Sequence, residues 1–408
     1  MSINTSSNRH TPIVERLIAA IALVFISPLL FAHIASQLWA KRPVFYVHQF
    51  RTTSKQTLTA KTLRQRATMS RMPLLWNVVR GDIRLAGNRL LRIQDSIPAT
   101  QEQSHFSVQP GIFSLFELRR ISGLEFIDEN ACNIEFAENG GLKQQAAIIV
   151  KSLLAGMLYS NTKELQDTPK FKVFGVEIHN VTMNEALASI ADTISKRAKK
   201  TVFFANAHTL NLSYDNASFR ELLNKVDYLL PDGSGIEVAC RHAGIRRKGN
   251  INGTDMLPLL CEQLAASGKS IYMLGGEEGI AQSAMANMKK RYPKLRVAGT
   301  QNGFFNKNNC TDVIAGINRS QADIVLVGMG QPLQEQWVAD HRDQLETPVV
   351  MAVGGLFDFY AEKVSRAPLW LRELGMEWTW RLIQEPSRMW KRYIIGNPLF
   401  LLRLRRAV

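Results

Sequence analysis

From Leu17 to Ala40 the chain reads LIAAIALVFISPLLFAHIASQLWA, twenty-four residues without a charge. About 20 apolar residues suffice for a helix to cross a bilayer core, and a run of this length exceeds a signal-peptide core. Ser27-Pro28 lies at its midpoint, where proline removes a helical hydrogen bond. Basic residues flank both ends, Arg9 and Arg16 before it and Lys41, Arg42 and Arg51 after it. The positive-inside rule favours one basic flank, so the pattern predicts a helix that enters the membrane, breaks at proline and returns. A single span and a buried soluble helix are the alternatives.

Beyond Phe171 the pattern alternates short apolar runs with stretches of helical period. FKVFGVEIH reads as a strand pair, and TVFFANA, DYLLPDG, SIYMLGG, ADIVLVGMG and PVVMAVGG read as single strands. Between them, helical spacing runs through NVTMNEALASIADTISKRAKK, SFRELLNKV, residues 254–266 and GIAQSAMANMKKRY. Thr182 with Glu185 three residues on forms a capping-box signature. Such alternation predicts an α/β fold: a Rossmann-like, mostly parallel sheet with helices on both faces. Ligands of such sheets sit at the carboxyl ends of strands. That directs attention to Asn206-Ala207-His208, Pro231-Asp232-Gly233, Gly275-Gly276, Gly328-Met329-Gly330 and Gly354-Gly355.

The chain has 408 residues, 46% hydrophobic, which is room for two or three domains with substantial cores. Its net charge of +15 suggests an anionic partner, and the distribution narrows the choice. Residues 1–96 hold 14 Lys+Arg against 3 Asp+Glu, and residues 363–408 hold 10 against 3, whereas 97–362 hold 26 against 29. Nucleic-acid binders place the charge on the reading domain, so no nucleic-acid partner is expected. Four scattered cysteines without a CxxC pair argue against a disulfide framework or zinc site and for a reducing compartment. No GxGxxG, Walker A, DxD or HExxH sequence occurs, so neither a cofactor nor a metal is expected.

After the apolar run come RPVFYVHQFRTTS (42–54), MPLLWNVVRGDIRLAGNR (72–89), QPGIFSLFELRRISG (109–123) and IEFAENGGLKQQAAIIVKSLLAGML (134–158). These resemble the bacterial polyprenyl-phosphate sugar-phosphate transferases, monotopic enzymes with a Ser-Pro-broken re-entrant helix. The resemblance covers roughly residues 12–160 and fails at the chemistry. Where that family carries an Asp-Glu dyad, Ser70 and Arg71 stand here. A hydroxyl beside a guanidinium, with no base, is no substitute for a carboxylate nucleophile. The domain is therefore expected to be α-rich, membrane-associated and catalytically inactive, with Arg80, Arg84 and Arg89 facing polyprenyl phosphate or anionic lipid.

Farther along, FGVEIHNVTMNEAL, FFANAHTLNLSY, DYLLPDGSGI, NGTDMLPLLCE, MLGGEEG, NGFF, VGMGQPLQEQW, VGGLFDFYAEKVSRAP and GMEWTWRLIQEPSRMWKRY occur in order. Together they resemble the WecG/TagA/CpsF glycosyltransferases across residues 171–395. Membership implies metal-independent transfer of a sugar from a nucleoside diphosphate, usually UDP, to a polyprenyl-diphosphate-linked saccharide. It also implies a C-terminal segment that completes the site at the membrane.

Asp232 is the general-base candidate, because an inverting transfer needs a carboxylate to take the acceptor hydroxyl's proton. It matches the family's proposed base; the competing role is capping of the next helix. Asn206 and Thr209 can bond sugar hydroxyls or phosphate, or serve as turn and cap residues. Asn252 can reach the donor sugar, against a capping role for its neighbours Thr254 and Asp255. Gly233, Gly275, Gly276 and Gly328 offer backbone N–H groups to a phosphate or are ordinary turn glycines. Gln334 and Glu335 suit a uracil edge or ribose hydroxyls. Asp358 suits a ribose or the acceptor, against a plain acid at a helix N-terminus.

In the tail, Arg366, Arg372, Arg381, Arg388 and Arg392 interleave with Trp370, Trp378, Trp380 and Trp390. Tryptophan suits the headgroup level, and arginine forks onto phosphate oxygens. Arg381, Arg388 and Arg392 would share one face of a continuous helix, unless Pro386 breaks it.

The expected organisation is an inactive membrane-anchored domain (1–160), a linker (161–170), a glycosyltransferase domain (171–362) and a basic appendage (363–408). The expected function is an inverting glycosyltransferase of surface or exopolysaccharide synthesis at the cytoplasmic face of the bacterial inner membrane. Its partners would be a UDP-sugar donor, a polyprenyl-diphosphate-linked acceptor and the membrane, with a homo-oligomer or other polysaccharide-assembly enzymes left open. A bifunctional enzyme with an active N-terminal domain, and a non-catalytic assembly scaffold, are the rival readings.

Overall fold

The computed structural model describes residues 11–52, 56–63, 70–95, 102, 105–122, 124, 128–159 and 166–406. Arg9 and the first half of the expected linker (161–165) lie outside the described residues. The chain divides into two compact units, 1–163 and 164–408.

The first unit opens with helix α1 (Ile13–Trp39), which is long and apolar enough to cross a membrane. Its large apolar side chains are mostly exposed, Phe25, Phe31 and Trp39 among them. The break expected at Ser27-Pro28 is not found, since the helix runs through Pro28. Proline leaves the carbonyl of Val24 without its usual donor, and the Ser27 hydroxyl donates to that carbonyl at 2.8 Å. At the start of α1, Glu15 is buried and accepts from Arg84 Nε at 3.0 Å and from the Leu85 N–H at 3.0 Å.

The expected α-rich character is half right. Strands β1 (Phe45–Arg51), β2 (Thr57–Leu63), β3 (Arg84–Ala86), β4 (Asn88–Arg89), β5 (Leu91–Arg92) and β6 (Pro110–Phe113) make two three-stranded sheets. Helices α2 (Leu75–Arg80), α3 (Leu115–Ile121), α4 (Glu129–Asn139) and α5 (Leu142–Tyr159) complete the unit. The short strands escaped the sequence reading because two or three residues carry no periodicity.

The second unit begins with the antiparallel pair β7 (Lys170–Val173) and β8 (Val176–His179). Helix α6 (Met183–Ser195) follows, closed by the expected Thr182–Glu185 capping box. Six parallel strands then form one sheet: β9 (Lys200–Ala205), β10 (Tyr228–Pro231), β11 (Ser270–Gly275), β12 (Arg296–Gln301), β13 (Ile324–Gly328) and β14 (Val349–Ala352). Their order is β10-β9-β14-β13-β11-β12. From β9 the chain steps to β10 on one side, while the other four strands lie on the other. The β9–β14 border is therefore the switch point where such sheets bind ligands.

Side chains alternate between two cores, as a sheet covered on both faces requires. Phe203, Leu229, Leu274, Val327 and Ala352 pack on one face; Phe204, Leu230, Met273, Leu326 and Met351 pack on the other. The first face is covered by α7 (Ala207–Asp215), α8 (Ala217–Lys225), α9 (Ser234–Ala243), α12 (Thr311–Arg319) and α13 (Leu333–His341). Helices α6, α10 (Gly253–Ser267), α11 (Ile280–Arg291) and α14 (Leu356–Tyr360) cover the second.

Pro386 does interrupt the tail. It is built of α15 (Leu369–Arg372), α16 (Glu377–Gln384), α17 (Pro386–Trp390), a π-helical turn (Lys391–Ile395) and α18 (Gly396–Arg406). Phe400 and Leu404 of α18 are buried in the first core, and Arg403 donates to the Asn211 carbonyl at 3.0 Å. The last segment is thus integral to the second unit.

Candidate functional site

Asp232 stands where β10 ends, half-buried, with its N–H donating to the Ala205 carbonyl at 2.8 Å. Gly233, at φ +83°, is the N-cap of α9, and no side chain caps that helix. The capping role that competed for Asp232 is therefore not the one seen. Burial pushes its carboxyl above the ordinary aspartate range; the Asn206 hydrogen bond and the charges of Arg392 and Arg247 work against that rise.

Asn206 does two things. Its Oδ1 caps α7 by accepting from the N–H groups of His208 and Thr209 at 3.1 Å each, while its Nδ2 donates to Asp232 at 3.4 Å. Thr209 is buried and closes the capping box from its hydroxyl. His208 is held down to about 4, by burial first and by Arg392 second, so it is neutral at pH 7.

Across the β9–β14 border lies Glu335, on α13 and fully buried. Its Oε1 accepts from Gln334 Nε2 at 2.8 Å and Gln331 Nε2 at 3.3 Å, whereas its Oε2 has no partner. Burial pushes this carboxyl up to about 7, the two amides and Arg392 opposing it. Gln334 is wholly employed inside the protein, its Oε1 accepting from Gly330 N at 3.2 Å and Gly354 N at 3.0 Å. It ties the turn after β13 to the turn after β14 and presents no free edge. Gln331 instead keeps a buried, unpartnered Oε1 while its Nε2 reaches the Phe204 carbonyl at the end of β9, 3.3 Å away.

Gly275 and Gly328 serve backbone packing. A Cβ at Gly275 would fall 2.2 Å from the Gly328 carbonyl oxygen, and one at Gly328 would fall 2.8 Å from that of Gly354. The Gly276 N–H is bonded to the Gly328 carbonyl at 2.9 Å. Asn252 caps α10, donating to and accepting from Asp255.

The tail arginines fall into three places. Arg366 bridges Asp255 and Glu377, and Arg372 donates to the Ala367 carbonyl at 3.1 Å. Arg381 and Arg388 meet at Gly355, where a Cβ would lie 3.3 Å and 3.6 Å from them. Arg381 also lies over the Phe359 ring, and Arg388 is 3.5 Å from Asp358. Arg392 belongs elsewhere: its charge is felt at Asp232, His208 and Glu335, and its Nε is buried without a partner. α16 is pinned by Gln384, which accepts from and donates to the backbone of Ser365 at 2.9 Å.

Arg247 and Asn250 were missed by the sequence reading. Arg247 donates to the carbonyls of Gly233 and Pro231 at 2.9 and 2.7 Å, and Asn250 accepts from the Gly233 N–H at 2.7 Å. They lock the Pro231-Asp232-Gly233 turn, yet the loop GIRRKGN carries no periodicity to mark them.

In the first unit, Arg71 occupies the place of the expected carboxylate dyad and is paired with Glu117, donating to its Oε1 at 2.9 Å and to the Ile112 carbonyl at 3.0 Å. Arg84 is buried against Glu15, and Arg89 is held by Glu129 at 2.8 Å. Arg80, 62% exposed, is the open one of the three arginines proposed to face phosphate.

Residues 49–158 match the family of bacterial sugar transferases, and residues 171–408 match the glycosyl transferase WecG/TagA/CpsF family. N-acetylglucosaminyldiphosphoundecaprenol N-acetyl-beta-D-mannosaminyltransferases of Staphylococcus aureus, strains MW2 and COL, are each 27% identical over 251 residues. That alignment takes in 60% of this chain and 96% of each relative. With more than half of its length matched, this chain belongs to the WecG/TagA/CpsF family and is a glycosyltransferase.

Proposed function

We propose that the second unit transfers a sugar, with inversion, from a UDP-sugar to a polyprenyl-diphosphate-linked glycan at the cytoplasmic face of the bacterial inner membrane. The observation that carries this reading is Asp232: a half-buried carboxylate at the end of β10, one strand from the switch point, free of capping duty and raised above the ordinary aspartate range. A base so tuned accepts the acceptor hydroxyl's proton as the hydroxyl attacks the anomeric carbon. Asn206, donating to the same carboxylate, orients it.

The leaving UDP carries the developing charge, and arginines are the groups placed to meet it. Arg381 and Arg388 gather at Gly355, and the charge of Arg392 is felt at Asp232, so guanidinium groups are available to a donor diphosphate. The relatives' acceptor is a diphosphoundecaprenol by name, and α1, apolar and exposed, suits a protein that meets such a lipid. We assign the first unit a membrane-holding role without phosphotransfer, because the position of the dyad holds an arginine engaged by Glu117.

Asp232→Asn tests the base. With UDP-sugar and a lipid-linked acceptor, kcat is expected to fall on the order of a hundredfold or more while UDP binding persists. Turnover at the wild-type rate would remove Asp232 from the mechanism.

A further inference from the structure

Arg381 and Arg388, the pair that meets the donor diphosphate in the reading above, are not free in this structure. Both point at one carboxylate. Glu385 accepts from Arg381 Nη2 through Oε2 at 2.8 Å and from Arg388 Nη1 through Oε1 at 2.8 Å. Two guanidinium groups sharing two oxygens of a single anion is the arrangement a phosphoryl group would receive. The surroundings are electrically balanced. Asp358 lies 3.5 Å from Arg388, and Lys363, whose charge responds to Asp358 and Glu385, is itself bonded to Glu277 at 2.8 Å. Two guanidinium groups thus face two carboxylates, with Lys363 neutralised by Glu277, and a neutral cluster exerts little pull on an arriving diphosphate.

One carboxylate has to yield for the arginines to bind phosphate, and the architecture says which. Asp358 is buried on α14 in the core, with its backbone carbonyl accepting from Lys363 and Val364. Glu385 lies at the junction between α16 and α17, where the helix has ended and Pro386 begins the next. Its backbone is fixed by bonds to Arg381 and Met389; its side chain is mostly buried, 18% exposed, but lies beside Arg388, which is half exposed. Rotation of that side chain would free the Nη groups of Arg381 and Arg388 that it now holds.

We infer that Glu385 is a built-in stand-in for the donor diphosphate, holding Arg381 and Arg388 in a forked arrangement, yielding to UDP, and returning to displace it after transfer. The inference rests on the donor reading above. Its consequence is a trade: Glu385 weakens donor and product binding and speeds departure of UDP, which otherwise lingers on two arginines. Glu385→Gln removes the competing charge at nearly constant shape, and Glu385→Ala, carrying the same expectation, removes the side chain.

The test is calorimetric titration of the full chain in detergent micelles with UDP and, separately, inorganic pyrophosphate. Glu385→Gln is expected to tighten both by roughly three- to tenfold, the size of one or two partly exposed ion pairs, and Arg388→Gln to weaken both. In turnover, Glu385→Gln should lower the donor KM and kcat together and sharpen inhibition by UDP. Binding that is unchanged or weaker in both Glu385 variants would overturn the inference and leave Glu385 as a structural brace. If pyrophosphate follows the expected pattern while UDP binds no variant, Glu385 keeps its role and the donor reading fails. If neither ligand binds any variant, the inference and the diphosphate role of the arginines fall together.

Discussion

Glu335 shows how far burial alone can move a side chain's chemistry. Its carboxyl rises from 4.5 to about 7 among two amides, Gln331 and Gln334. The folded state therefore binds a proton that the unfolded state has lost between those two values. Stability from this group is complete below about pH 4.5 and is lost as pH rises through 7, roughly 3 kcal/mol across the window. Glu335→Gln, which fixes the neutral form, should cost most at pH 5 and least at pH 8. Melting curves of both proteins at the two pH values check this, and a gap that ignores pH would refute it.

Asp232 was legible in the sequence because an acid followed by glycines at the end of an apolar run has few structural excuses. The element GQPLQEQW stood out in the sequence, but not which of its amides keeps an unbonded carbonyl. Gln334 turned inward to tie two backbone turns, leaving Gln331 with the free carbonyl, and only the packing of α13 decides between them.

At the scale of elements, short apolar runs found five of the six parallel strands, four of them closed by glycine. The sixth, β12, has the sequence RVAGTQ and sits at the edge of the sheet, partly exposed, so no hydrophobic run marks it. Helices α7, α12 and α13 do not stand out in the sequence, since each is only nine residues long. The proline in α1 was read as a break, and the Ser27 hydroxyl supplies what the argument lacked.

Element packing also explains how a tail reaches the site. Phe400 is buried, edge-on to Phe174 at 5.6 Å, and α18 hangs on it together with Arg403, which bonds Asn211 and Asp215. Phe400→Ala is expected to cost about 3–5 kcal/mol at that contact, enough to release α18 and the adjoining turn that carries Arg392. Since Arg392 lowers the Asp232 pKa, its departure should move the acid limb of the pH–rate profile upward. Proteolysis confined to the tail, together with that profile, distinguishes local undocking from global unfolding. An unchanged acid limb in a variant whose tail is cleaved would separate Arg392 from the base.

For the whole molecule, the +15 charge acquires a location. The first unit and the tail are basic, and the sheet between them is near neutral. The tail also exposes Trp370, Ile383, Trp390, Ile394 and Ile395, apolar groups beside its arginines, as an interfacial surface would. The two units keep separate cores. The Staphylococcus aureus relatives are covered to 96% by an alignment about as long as the second unit, so that unit has counterparts standing alone. In the proposed reading, the sugar-transferase-like unit adds something beyond the sugar transfer itself. In the reading proposed above, α1 holds the chain at a bilayer, so the catalytic unit searches two dimensions for a lipid-linked acceptor and its effective concentration rises accordingly. Residues 164–408 alone should bind UDP as the full chain does and match its kcat on a short-chain, detergent-soluble acceptor. On a long-chain acceptor embedded in anionic vesicles, the truncated protein should lose at least tenfold in kcat/KM, the low end of what tethering supplies. Equal rates on vesicles would show that the tail alone anchors the enzyme; loss on the soluble acceptor as well would show that the first unit takes part in the transfer.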